Sequence, residues 1–346
     1  MLHLMTSDPR QPLHTHEQEA RESEKDKAGA NYRVGAPTGK GCEGGEVAQK
    51  PQAHGLSTSR AVGIVLRDVS SPFFSLIVRG VEAAASESGF DVLLSSTSGQ
   101  PEKEESQILH YRNMGISGIV IASMTHVYTA SDALRQIHDD KFPYVLVSYV
   151  EEPDIYHVGT DHERGGYIAT RHLLERGYRK IGYVGGEVGN RVGELRRQGY
   201  LRALLDFDIP YRPSFEFHLR LRGEWNDYQS GLEIGHQIAW RPDRPAALFV
   251  YNDLTALGIQ QALLQDGIRI PDDIAMVGFD DIGQAQLARV PLTTIHQPTF
   301  EIGAAAFDVI QKRMHGVEVA VRTILDPSLV VRESCGASGR HESHTS

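Results

Sequence analysis

Cysteine is almost absent from this sequence: Cys42 and Cys335 are the two among 346 residues. A pair so widely separated builds neither a disulfide framework nor a zinc-ligand spacing, which points to a reducing compartment. No apolar run approaches the roughly 18–20 residues of a bilayer-spanning helix, so no membrane partner is expected. The opening residues, Met1 to Arg10, lack a basic stretch followed by an apolar one and do not read as a secretory signal. The expectation is a cytoplasmic protein. Positive charge is also short. Lys and Arg number 35 against 45 Asp and Glu, a net charge of −10. That balance excludes a chain that coats nucleic acid with its whole surface, while leaving room for a small basic module.

Residues 1–59 contain no Phe, Ile or Trp. A segment so poor in apolar surface cannot offset its ordering entropy, and disorder is expected. It holds one G-x-G-x-x-G match, Gly39 to Gly44. That pattern cradles a pyrophosphate only between a strand and a helix, and neither flank qualifies. No cofactor and no metal site are expected.

Beyond Arg60 the composition becomes that of a globular protein. Short apolar runs alternate with helical periodicity, and most helices stop at a glycine. Strand-like runs cover 61–66, 91–95, 118–123 and 143–148, with helices near 72–88, 101–114 and 131–140 between them. Ser71 is placed to cap the first helix and Pro72 to open it. After a polar stretch at 150–156 the alternation restarts with 157–161 and continues through strand-like 180–185, 215–219, 246–251, 274–279 and 292–295. The run 321–331 closes the domain as strand-like sequence, and the tail 337–346 is polar and frayed. Short connections in βαβ order imply parallel sheets. The fold class is therefore α/β: two doubly wound parallel-sheet subdomains side by side, with a ligand cleft between their strand ends.

The motifs in this region resemble those of the LacI/GalR regulators. Val65 to Phe74 (VLRDVSSPFF) is similar to the family's D-I-S-N-P-F-F. Val158 to Asp161 with Gly165-Gly166, His172 to Gly182, Arg196 to Tyr200, Val250 to Gly258, Val277 to Asp281, and Pro291 to Gln297 resemble six further family motifs. They follow in order over about 60–335, and seven in series are a specific signal. The resemblance implies a periplasmic-binding-protein-like fold whose chain crosses between subdomains near 157–161, 293–298 and 325–328. The amino subdomain would then be 60–158 plus 296–325, and the carboxyl subdomain 159–293 plus 326–336.

The resemblance also implies a cleft that binds a small polar effector of the sugar class. Carried over residue by residue, Arg196, Asn252 and Asp280 are the expected effector contacts. Gln297, Phe73 and Ser123 line the other wall, and Trp225 is placed to stack on a sugar face. Ser148-Tyr149 stands where many relatives have Asp-Arg, so the hydroxyl of Ser148 replaces a carboxylate there. The residue types alone leave alternatives open. Asp280 caps the following turn or faces a ligand; Arg196 grips a ligand or pairs with Glu194 or Asp161 on the surface; Trp225 packs or stacks. Asp253 is expected as the helix cap beside Asn252, and His162 and His172 as solvated helix-face residues.

An effector-sensing transcriptional regulator follows from the resemblance, with a homodimer and DNA as family partners. Residues 1–59 show no helix-turn-helix pattern and no basic patch, so the sequence supports the sensor and displays no DNA reader. A solute-binding protein of a sugar transport system is the alternative, and the missing signal argues against it. No nucleophile–base pair, metal spacing or phosphate loop stands in a credible context, so no enzyme is expected.

Overall fold

The computed structural model describes residues 60–122, 130–147, 149–220 and 227–336. The readings made above for 1–59, for the tail, and for Ser123, Ser148 and Trp225 lie outside them. The described chain opens with β1 (Ala61–Leu66), α1 (Pro72–Glu87), β2 (Asp91–Ser96), α2 (Pro101–Asn113), β3 (Gly118–Ala122), α3 (Asp132–Asp139), β4 (Tyr144–Leu146) and β5 (His157–Thr160). It continues through α4 (His162–Glu175), β6 (Ile181–Gly185), α5 (Arg191–Asp206), β7 (Glu216–His218), α6 (Asp227–Ala239), β8 (Ala247–Val250), α7 (Asp253–Gln265) and β9 (Ala275–Asp280). It closes with a short α8 (Gly283–Leu287), β10 (Thr293–His296), α9 (Thr299–Met314), β11 (Arg322–Leu325) and β12 (Ser328–Val330).

The strands form two sheets, ordered β11-β5-β4-β3-β1-β2 and β12-β10-β9-β8-β6-β7. Every pairing in the first sheet is parallel. The second is parallel except for β12, which joins β10 antiparallel at the edge. We call each sheet with its helices a lobe. Both lobes share one winding, in which the second strand lies outside the first and the third lies on its other side. Ligands of such sheets bind beyond the carboxyl ends of the strands at that reversal.

The two faces of β1 explain why its sequence is apolar throughout. Val62, Ile64 and Leu66 pack with Ile77, Val81, Ile302 and Phe307 from α1 and α9. Ala61 and Val65 point the other way, toward Ile108, Tyr111 and Leu134 from α2 and α3. A parallel strand covered on both sides has no polar face to show. The second lobe has its own core around Phe249, Val277, Phe279 and Tyr183.

The chain passes between the sheets three times: from β5 to α4, from β10 to α9, and from β11 to β12. The strand-like run 321–331 is two strands. Asp326-Pro327 divides it, β11 pairs with β5 in the first lobe, and β12 pairs with β10 in the second. A local apolar pattern does not say which sheet a strand joins. Ser71 also differs from expectation. It sits at the N-cap position of α1, but its side chain makes no capping bond, and Pro72 occupies the first turn without needing one.

Helix pairs on these lobes approach unusually closely. A Cβ on Gly166 of α4 would lie 2.1 Å from the Arg196 carbonyl oxygen, and one on Gly199 of α5 would lie 2.0 Å from that of Glu163. Gly231 and Gly258 do the same between α6 and α7, and Gly80 and Gly303 between α1 and α9. Only hydrogen fits at these contacts, so the backbones themselves are packed together.

Candidate functional site

The loops at the carboxyl ends of the strands converge on a cavity of about 190 Å³ lined from both lobes. It exceeds the roughly 150 Å³ void that admits a benzene-sized molecule. Arg67, Phe73, Phe74, Tyr149 and His157 come from the first lobe; Arg196, Asp227, Tyr251, Asn252 and Asp280 come from the second. Gln297, on the β10-to-α9 crossing, completes the wall.

Arg196 is placed by the α4–α5 glycine contact, because the absence of a side chain on Gly166 lets the Arg196 backbone seat directly on α4. The residue is only 4% exposed. Its guanidinium lies 3.7 Å from the centre of the Phe279 ring, its Nη1 donates to the Tyr251 carbonyl, and its Nη2 is 3.6 Å from Asp280 Oδ1. This removes the surface alternative, since its contacts are not with Glu194 or Asp161. Asp161 instead caps α4, accepting from Arg164 N at 2.9 Å. The Nε of Arg196 is buried with no partner among the described residues.

Asp280 ends β9 with φ 123°, and Asp281 follows with φ 60°. Such angles are uncommon for non-glycine residues, and strain of this kind gathers at functional sites. Gln297 Nε2 donates to Asp280 Oδ1 at 2.6 Å. Burial pushes the Asp280 carboxyl up to about 7, against the opposing pull of Arg196 and Gln297.

At the start of α7 the expected cap is corrected. Asn252 is the cap: its Oδ1 accepts from Thr255 N at 2.9 Å. Its amide nitrogen donates to Asp227 Oδ2 at 2.5 Å, and Tyr251 donates to the same oxygen at 2.8 Å. Asn252 thus caps the helix and lines the cavity at once. Asp253 is fully buried and is not the cap. It accepts from Thr294 Oγ1 at 2.6 Å and from Ile282 N at 3.0 Å. Desolvation, followed by the nearby Asp280, raises its carboxyl well above the usual range. A carboxyl that reaches under β9 and β10 supports the strand ends from below.

His162 corrects a further expectation. It lines the cavity rather than facing solvent, with its Nδ1 3.4 Å from Arg196 Nη2 and its ring against Phe279. Burial first, and then the charge of Arg196, pushes it well below the ordinary histidine value, so it stays neutral. His172 is also half-buried rather than solvated, and burial lowers it too.

Five of the expected residues, Phe73, Arg196, Asn252, Asp280 and Gln297, therefore meet at one cavity. Sequence reasoning missed Asp227, His162, His157 and Tyr149. Asp227 follows Trp225 by two residues and opens α6, a position that hinted at the cleft. Tyr149 lies beside the noted Ser148 and stacks under Arg191 from the other lobe, at 5.9 Å.

Residues 170–335 match a family described as a periplasmic binding protein-like domain. The HTH-type transcriptional regulator DegA of Bacillus subtilis (strain 168) is 31% identical over 299 residues, which cover 84% of this chain and 86% of that protein. The complex of the transcriptional regulator CelR with cellobiose superposes with a TM-score of 0.70 at 29% identity, covering 80% of this chain and 84% of that one. A regulator from Enterococcus faecium with bound ribose superposes with a TM-score of 0.69 at 25% identity, covering 79% and 98%.

Proposed function

Because the chain belongs to the LacI/GalR family of transcriptional regulators, we propose that its cavity is an effector site for a neutral sugar and that sugar binding sets the angle between the lobes. One observation carries this: Arg196, Asp227, Asn252, Asp280 and Gln297, from both lobes, present donors and acceptors to a single ring-sized cavity. A polyol needs both kinds of partner for each hydroxyl it buries. The cavity wall balances Arg67 and Arg196 against Asp227 and Asp280, which favours an uncharged ligand over an anionic one. Phe73 and Phe74 supply an apolar face for the carbon side of a sugar ring. The cellobiose and ribose held by the two structural relatives support the same class.

In this reading the functional subdomains are 60–158 plus 296–325 and 159–293 plus 326–336. Closure on the ligand is transmitted through a homodimer to DNA, the partner that defines the family's output. Regulators, rather than transport proteins, are the relatives that support it. A thermal-shift screen of neutral sugars tests the site, since a ligand at 100 times its Kd adds about 2.7 kcal/mol of stability. No shift with any neutral sugar would overturn the sugar assignment. Sedimentation of the full chain tests the homodimer, and a gel shift on its upstream region tests DNA binding.

A further inference from the structure

Asp281 is not part of the cavity wall, although its neighbours Asp280 and Ile282 are. Its carboxylate is used elsewhere. One oxygen takes Arg332 Nη2 at 2.7 Å, and the other lies 3.0 Å from His296 Nδ1. His296 ends the strand that leads into the second crossing, and Arg332 follows the strand that the third crossing enters. His296 is the last residue of β10, immediately before Gln297 leads the chain to α9. Arg332 lies two residues beyond β12 and also holds the start of β10 through Leu292 O at 2.8 Å and Thr293 Oγ1 at 2.9 Å.

The arrangement is stepwise. Asp280 and Asp281 are successive residues, held by the successive residues Gln297 and His296. The β10–β12 ladder joins the second and third crossings, through Thr294–Val330, Ile295–Leu329 and His296–Ser328. The first crossing is tied to the third by Arg164 to Asp326 at 2.8 Å and by Thr160 Oγ1 to Leu325 O at 3.0 Å. The two-residue turn with left-handed φ values therefore joins the cavity to β10 and β12, the strands that flank the second and third crossings.

We propose that Asp281 is a positioning residue that ties the cavity-facing Asp280 to the second and third crossings, so that a ligand engaging Asp280 is felt at the hinge. This rests on the effector-site function above. Asp280 cannot shift without its neighbour, and the carboxylate of Asp281 holds the strands that flank two crossings. The Asp281→Asn substitution leaves one acceptor oxygen where the carboxylate presents two, and no charge to hold Arg332.

Hydrogen–deuterium exchange of the full chain tests this on wild type, Asp281→Asn and Arg332→Gln. In the free protein, peptides covering 292–298 and 325–332 should exchange about tenfold faster in both variants, while 61–66 and 247–250 keep wild-type rates. A merely local role would loosen 280–282 alone, and that result overturns the proposal. The second arm uses whichever of D-ribose, cellobiose or D-xylulose raises the wild-type melting temperature most. It should slow both crossing peptides in wild type and leave them unslowed in Asp281→Asn, which still binds within about fivefold of the wild-type Kd. Equal slowing in the two proteins overturns the proposal. If none of the three sugars binds wild type, the wider thermal-shift screen decides the sugar assignment, and the free-protein comparison decides the role of Asp281. Arg332→Gln carries the same comparison if Asp281→Asn does not fold.

Discussion

The Arg196 guanidinium carbon lies over the Phe279 ring, 3.7 Å from its centre, and Nη1 is held by the Tyr251 carbonyl, so the group reaches the cavity oriented. Lysine cannot reproduce that stacking or its forked geometry. Arg196→Lys should therefore weaken sugar binding about tenfold or more, the equivalent of losing one charge-assisted hydrogen bond of about 1.5–3 kcal/mol. Isothermal titration with the best sugar from the thermal screen measures it. Unchanged affinity in a folded variant would remove Arg196 from the site.

Asn252 does two jobs that substitutions can separate. Asn252→Ala loses the cap on α7 and should lower stability by about 1 kcal/mol. Asn252→Asp keeps a capping oxygen but places a carboxylate against Asp227, where the amide now donates at 2.5 Å. It should retain much of the stability and lose ligand affinity. Chemical melts and titration on both variants separate the two effects. Equal affinity in Asn252→Asp and wild type would confine the residue to capping.

Asp280 gives stability a defined pH dependence. Its ordinary value of 3.8 is raised to about 7 in the folded chain. Between about pH 4 and about pH 7 the folded protein holds a proton that the unfolded chain releases, so this contribution is lost as pH rises through the window. His162 acts with the opposite sign. It stays neutral when folded and is protonated in the unfolded chain, so its contribution is lost as pH falls below about 6.5. Asp280→Asn removes the first effect together with the push of Asp280 on Asp253, and its stability relative to wild type should climb from pH 4 to pH 7. Urea melts across that range measure it; parallel profiles would show that Asp280 holds no proton.

Gly199→Ala tests the helix contact that seats Arg196. The new methyl would meet the Glu163 carbonyl at 2.0 Å, and backbone cannot yield as a flexible side chain does. Overpacking of this kind costs about 1–3 kcal/mol. The melting temperature should fall, and sugar affinity with it, because α5 must back away from α4 and carry Arg196 along. A stable variant with full affinity would show that α5 is placed by other contacts.

Much of this architecture is legible in the sequence because parallel strands covered on both faces are written as uninterrupted apolar runs. Val62, Ile64 and Leu66 need no pairing information to be recognised. The return of α9 to the first lobe has no local signature, and the resemblance, rather than periodicity, implied it. Within the site, Arg196, Asn252 and Asp280 stand in motifs, whereas Asp227 and His162 look like ordinary helix-opening residues. The cap, expected of Asp253 and made by Asn252, has the same origin. At a strand-to-helix junction, neighbouring side chains point in opposite directions, and only the position of Thr294 and Ile282 on other segments shows which one turns inward.

The glycine contacts between α4 and α5, α6 and α7, and α1 and α9 have a mechanical consequence. Backbones packed with no side chain between them have no rotamers to rearrange, and so no soft layer along which one helix can slide past its neighbour. Each lobe is then stiff where it could have been compliant. Elastic deformation has few places to go other than the three thin strips of chain between the lobes, so under the proposed function a small displacement at the cavity would turn one stiff plate against the other.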